Sequence, residues 1–373
     1  MLKQFNFKNV TNEMLKENYV IPKLPLSIEL ETIAILKALS AANRSLAELK
    51  GRAATIPNQS ILINTLALQE AKASSEIENI VTTEDELFQA ELFPNATLSA
   101  ATKEVALYRD ALKLGYDSLL EHKGLILNST IIKMFQLLKN RQDGFRTQQG
   151  TALKNETTGQ IVFVPPQNCN DINRHMQELE KFINEDALSQ IDPLIKMAII
   201  HHQFESIHPF PDGNGRIGRI LNVLYLTRTS LLEIPILYLS RRINATKSEY
   251  YRLLQAVRDE GAWEEWIVYM LISVAETATK TLSLVEAIRS QMAAAKQKMR
   301  REIPKIYTQD LLNTLFRHPY TKIEFVTDDL KVTRQTASKS LDILTEKGFV
   351  RKVISGRSNY YINEELVSLF QEV

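Results

Sequence analysis

The chain has 373 residues, 44% hydrophobic and 24% charged, with a net charge of +1. This composition excludes a disordered chain, and the length fits two or three domains with a sizeable core. A single cysteine, Cys169, excludes an internal disulfide and fits a reducing, cytoplasmic space. The first residues, "MLKQFNFKNVTNEM", carry no apolar signal core. No run approaches the ~18 consecutive apolar residues of a bilayer span, so no membrane association is expected. The near-neutral total leaves room for a local basic patch.

Helical spacing runs through long stretches. Residues 26–50 place Ile28, Leu30, Ile33, Leu36 and Leu39 on one stripe. Residues 58–79 follow Pro57 with Ile61, Leu62, Leu66 and Leu68 as their apolar set. Further helices are predicted over 84–92, 97–121 and 128–139. Residues 151–164, "TALKNETTGQIVFV", break the pattern. A polar turn at Thr158-Gly159 leads into an apolar β-favouring run that Pro165-Pro166 stop, which predicts a hairpin. A lone hairpin cannot bury both faces, so it should lie across another surface, as a lid over a site or as a structural flap. Helices resume over 170–185, 192–206, 216–229, 246–258 and 262–295.

The charged segment 289–305 ends at Pro304 and marks a domain boundary. Beyond it the order reads helix, short helix, turn, helix, hairpin, as in a winged helix-turn-helix. Thr333 caps a helix to Lys347 with Ala337, Leu341 and Leu344 inward. Its outer face offers Arg334, Gln335, Ser338 and Lys339, and the wing offers Arg351, Lys352 and Arg357. Such a helix can enter the major groove of DNA. Winged helices also serve protein contacts, and Asp328 and Asp329 would repel phosphate, so both partners stand.

Between two predicted helices lies "HPFPDGNGRIGR", His208 to Arg219. Gly213, Asn214 and Gly215 would open the second helix, where free N–H groups and glycine backbone make an anion nest. Arg216 and Arg219 point the same way and can hold two phosphates of a nucleotide. Asp212 is a hard carboxylate suited to Mg²⁺ beside phosphate, and Asn214 can donate to a phosphate oxygen. His208 can take a proton from an attacking hydroxyl near neutral pH. Phe210 is the loop's apolar anchor. His201 and His202 are adjacent on a helix and point ~100° apart, poor geometry for a shared zinc with His208.

The stretch carries every fixed position of the Fic motif, HxFx[DE]GNGRxxR, and the chain resembles that family over roughly residues 60–290. The resemblance implies a helical fold with a small hairpin flap, and transfer of AMP from ATP to a Ser, Thr or Tyr hydroxyl of a protein. It implies His208 as base, Asp212 as Mg²⁺ ligand, and Gly213, Asn214, Gly215 and Arg216 on phosphate. Arg219 would take the γ-phosphate, and Tyr250, Tyr251 and Leu254 would flank the adenine. The flap residues Ile161, Val162, Phe163 and Val164 would clamp a target segment by strand addition. "SSEIEN" resembles the family's inhibitory pattern [ST]xxxE[GN], with Ser74, Glu78 and Asn79. Glu78 would then pair with Arg219 in a bidentate fork.

The whole chain looks like a stand-alone bacterial Fic protein. Its parts would be a helical N-terminal region (1–95, inhibitory helix about 60–79), a catalytic core (96–290, flap 151–166) and a winged helix (303–373). The resemblance also carries expectations of a homodimer and of automodification. Two further functions stay open at this point: removal of AMP from a modified protein, and a nucleotide-sensing DNA-binding regulator.

Overall fold

The computed structural model describes residues 2–6, 19–92, 98–155, 158–355 and 358–372. A short strand β1 (Leu2–Asn6) precedes a run of helices: α1 (Ile33–Ala53), α2 (Ser60–Ile77), α3 (Glu84–Leu92), α4 (Ala100–Glu121) and α5 (Asn128–Lys139). Strands β2 (Thr151–Asn155) and β3 (Ile161–Phe163) form the expected hairpin. Helices α6 (Cys169–Asn184), α7 (Pro193–Ile207), α8 (Asn214–Arg228), α9 (Ser240–Ala245), α10 (Lys247–Glu260) and α11 (Trp263–Glu302) complete the main body.

Local chemistry sets the helix starts. Thr32 caps α1, Ser99 caps α4, and Asp192 followed by Pro193 opens α7. Every residue of α7 from Leu194 to Ile207 is buried, so α7 is the central rod of the core. Its neighbour α8 is buried almost as completely. Trp266 of α11 donates its Nε1–H to the Ala198 carbonyl of α7 at 2.9 Å. These packed helices fix the loop between α7 and α8, where the motif lies.

Four expectations need correction. The helix predicted from residue 26 starts at Ile33, and Ile28, Ile33 and Leu36 face outward. The face buried along α11 is Ile35, Ala42, Leu46 and Leu49. The N-terminal region is not wholly helical, because β1 pairs antiparallel with β2, Leu2 opposite Asn155 and Asn6 opposite Thr151. The flap is therefore two strands of a three-stranded sheet, β1-β2-β3, with β3 at one edge, and Val164 lies just past that strand. Finally, α11 does not stop at 290 or 295 but runs to Glu302, through the expected end of the core. By length and mean hydropathy α11 is long and apolar enough to cross a membrane, and half of its most apolar window is buried inside the protein.

The C-terminal region contains α12 (Gln309–Arg317), β4 (Tyr320–Thr321), α13 (Ile323–Leu330), α14 (Arg334–Glu346), β5 (Arg351–Ser355), β6 (Ser358–Ile362) and α15 (Glu364–Glu372). Thr333 caps α14, and Ala337, Leu341 and Leu344 are buried as predicted. The C-terminal sheet has the order β4-β6-β5. Arg357, expected on the wing, lies outside the described residues. This region packs on the main body: α12 lies against α2, Phe88 stacks on Tyr320 at 4.8 Å, and the Tyr320 hydroxyl donates to Asp85 at 2.6 Å.

Candidate active site

The α7–α8 loop is held from several sides. His208 ends α7 in the left-handed region (φ 50°), an uncommon conformation for a side-chain-bearing residue. Its N–H bonds the Phe204 carbonyl at 2.9 Å. Arg146, which precedes the flap, donates Nε to the His208 carbonyl at 2.8 Å and another N–H to the Pro166 carbonyl after the flap. Its own backbone N–H bonds the Pro209 carbonyl at 2.8 Å. One arginine thus ties the flap's base to the histidine turn. Phe210 anchors the loop as expected, stacked on Phe135 at 4.1 Å.

Asn214 differs from its expected role. Its side chain donates to the Phe210 carbonyl and accepts from the Phe210 N–H, both at 2.8 Å. Both ends of the amide staple the loop closed, so Asn214 shapes the nest. Gly213 takes φ 77°, which a side chain would strain.

His208 is buried, and its pKa is pushed down to about 3, first by burial and then by the charges of Arg146 and Arg258. The imidazole is therefore neutral near pH 7. Burial raises Asp212, but hydrogen bonding and charge from Lys139, with Arg216 beyond, hold it below the usual carboxylate range. Among the described residues no three His, Cys, Asp or Glu side chains form a cluster. A cation here would take one protein carboxylate and oxygens from phosphate, the way Mg²⁺ is held. Asp212 fits that role: it is ionised, and its Oδ2 already faces a cation, the Lys139 ammonium, at 2.7 Å.

Both motif arginines are buried and both are gripped by other helices. Arg219 donates Nε to the Ser74 hydroxyl at 2.7 Å, and Nη2 to the Ser74 carbonyl and to Glu78 Oε1, each at 2.9 Å. The expected two-toothed Glu78 fork is thus shared between Glu78 and Ser74, because Ser74 lies one turn back and nearer. A Cβ on Gly215 would fall 2.6 Å from Glu78 Oε1, so only glycine leaves this carboxylate its seat. Asn79 lies at φ 61° and ends α2, a position that Asn or Gly suits. Lys247 donates to the Ile77 carbonyl and caps the same helix end. One turn before Ser74, buried Glu70 accepts from the Tyr108 hydroxyl (2.9 Å) and from Ser240. Glu70, Ser74 and Glu78 make one polar face that seats α2 on the core.

The adenine-side expectation also changes. Tyr250 is buried and bonds His201 Nε2 at 2.8 Å, and Leu254 is buried with its carbonyl on His202. Only Tyr251 keeps a partly open face. On the flap, Phe163 and Val164 are buried, Phe163 under the Arg258 guanidinium at 3.9 Å, while Ile161 and Val162 stay partly exposed. A cavity of about 430 Å³ lies away from the motif, on the other side of α2, lined by Gln69, Lys72, Glu76 and Arg242 among others. Sequence reasoning missed Arg146, Glu104 and Lys139, single polar residues on distant elements with no spacing to mark them, and Glu70, whose one-turn spacing from Ser74 was the available signal.

Three family models match the chain in order: Fic/DOC family N-terminal over residues 36–117, Fic/DOC family over 126–226, and protein adenylyltransferase SoFic-like, C-terminal domain over 291–366. The chain belongs to the Fic family. The chain is similar to proteins named protein adenylyltransferase Fic. That of Drosophila erecta is 30% identical over 121 residues, 32% of this chain and 22% of the relative. That of Drosophila ananassae is 31% identical over the same shares. The match thus spans about a fifth of those relatives' length. In fold, the chain resembles a Fic family protein from Desulfovibrio desulfuricans G20, with TM-score 0.52, 18% identity, and 90% and 97% of the two chains covered. Fic-1 from C. elegans gives TM-score 0.54 at 19% identity, covering 69% and 74%.

Proposed function

We propose that this Fic protein transfers AMP from ATP to a hydroxyl side chain of a protein, and that Glu78 restrains it. One observation carries the reading: a neutral buried His208, an ionised Asp212, the glycine nest and two arginines sit on one loop–helix unit, with Arg219 held by α2. The target oxygen attacks the α-phosphorus, its proton passes to His208, and the bond to the β-phosphate oxygen breaks to release pyrophosphate. Arg216 and Arg219 orient the phosphates and meet charge developing on the leaving group. Mg²⁺ held by Asp212 would neutralise phosphate charge. Glu78 and Ser74 occupy the donors that Arg219 would turn to phosphate, so loading ATP in register requires α2 to yield. The partly exposed Ile161 and Val162 of β3 would meet the target segment.

A cytoplasmic setting belongs to this reading and rests on the lone Cys169. The winged helix is read as protein-facing. Arg334 is paired with Glu324, Arg351 with Glu364 and Lys352 with Asp342, so three of the cations expected to meet a DNA backbone already have partners within the chain. Intact-mass spectrometry of the wild-type chain and Glu78→Gly with Mg-ATP tests the function. The variant should gain the mass of AMP on itself or on an added acceptor protein, and the wild type much less. No AMP on any protein with either form would overturn the reading.

A further inference from the structure

Two residues outside the motif reach into it. Lys139 ends α5, and its Cδ lies 3.5 Å from where a Cβ on Gly213 would be, so its stem crosses the nest. Its ammonium stands 2.7 Å from Asp212 Oδ2 and 2.6 Å from Glu104 Oε1. The same Glu104 oxygen takes Arg216 Nη1 at 2.7 Å. The result is a row of alternating charges, Asp212, Lys139, Glu104 and Arg216, contributed by the motif and by α5 and α4. Burial raises Glu104, but Lys139 and Arg216 outweigh it, so this carboxylate is ionised too.

Resting on the function proposed above, we propose that Lys139 competes with the divalent cation for Asp212, and Glu104 competes with phosphate for Arg216. Loading the nucleotide would then exchange two internal ion pairs for metal and phosphate contacts. This exchange is separate from the Glu78 clamp, which acts on Arg219.

Three observations favour exchange over a purely structural network. First, Arg216 is buried, yet its Nε has no hydrogen-bond partner among the described residues. Buried donors are almost always met, so this one is suited to an incoming oxygen. Second, Lys139 and Glu104 are partly exposed, at 18% and 27% of their side chains, and can swing away without opening the core. Third, a triphosphate beside Arg216 would place like charge against Glu104, so both cannot hold the guanidinium at full strength.

The test uses the full chain and binding readouts. Mn²⁺ binding without nucleotide, followed by electron paramagnetic resonance, should tighten about fivefold in Lys139→Met, as expected from removing a partly buried ion pair. The gain should vanish in Lys139→Met/Asp212→Asn. ATP binding by calorimetry should tighten about fivefold in Glu104→Gln, and by the same factor on a Glu78→Gly background. Unchanged or weaker Mn²⁺ binding in both Lys139→Met and Lys139→Gln would overturn the role of Lys139. Weaker or unchanged ATP binding in Glu104→Gln, with an unaltered melting curve, would make Glu104 a support for Arg216 and overturn its half. Failure of Glu78→Gly itself to bind Mg-ATP would instead sink the functional reading, so the two failures are distinguishable.

Discussion

The α2–α8 contact and the α13–α14 contact both pair arginine with glutamate, in opposite surroundings. Arg219 keeps 2% of its side chain exposed where it meets Glu78, whereas Arg334 keeps 71% where it meets Glu324. The bond lengths are similar, 2.9 and 2.5 Å. Burial is what separates them. Water and salt screen the exposed pair to about 0–1 kcal/mol. A buried guanidinium deprived of its partners costs several kcal/mol, so it must be handed from one anion to another. The first arrangement suits a switch and the second suits a surface.

His208 shares the buried surroundings of Arg219. His208→Ala should lower AMP transfer about 100- to 10,000-fold while ATP affinity, measured by calorimetry on a Glu78→Gly background, stays within about twofold. Loss of both together would make the histidine a structural residue. Next, Glu78→Gly should raise the initial rate of transfer from labelled ATP about 10- to 100-fold, the worth of an ion pair buried on its arginine side. Equal rates would break the distinction between the two arginines.

Glu70 gives a test through pH. Burial raises its pKa to about 7, against the pull of Ser240, Tyr108 and Arg219. Because the folded value exceeds the ordinary one, its contribution to stability is full below about pH 4.5 and is lost as pH rises through about 7. Glu70→Gln lacks this dependence. Between pH 5 and pH 8 urea denaturation should therefore move in the variant's favour, by at most about 3 kcal/mol. A constant difference across that range would show that Glu70 does not take up a proton on folding. The smallest effect belongs to the exposed pair. Glu324→Gln should change stability by less than about 0.5 kcal/mol, and duplex DNA should give no salt-dependent anisotropy with the wild-type chain.

Much of this architecture was legible in the residues. The motif's spacing placed a loop before a helix, and Thr333 with the inward Ala337, Leu341 and Leu344 placed α14. The Ser74–Glu78 face emerged from a one-turn separation. What failed was whatever depended on distant partners. The stripe of Ile28, Ile33 and Leu36 is periodic, but α11 covers the other face of α1. Strand β1 finds its partner almost 150 residues later, and "LKQFN" has no alternation to announce it. Asn214 reads equally well as a phosphate donor or a loop staple until the Phe210 backbone is in place. Glu104 and Lys139 are ordinary helix charges in one dimension.

The flap sheet carries a consequence for selectivity. One side of β2 is already taken by β1, within the same chain. What remains on the far margin is β3, only three residues long. Such a ledge can offer a visiting polypeptide two or three main-chain bonds at most, and those bonds are blind to sequence. Discrimination among acceptor proteins would then have to come from surfaces well away from the reacting hydroxyl, so a short peptide copied around the modified residue should be a poor substitute for the folded acceptor.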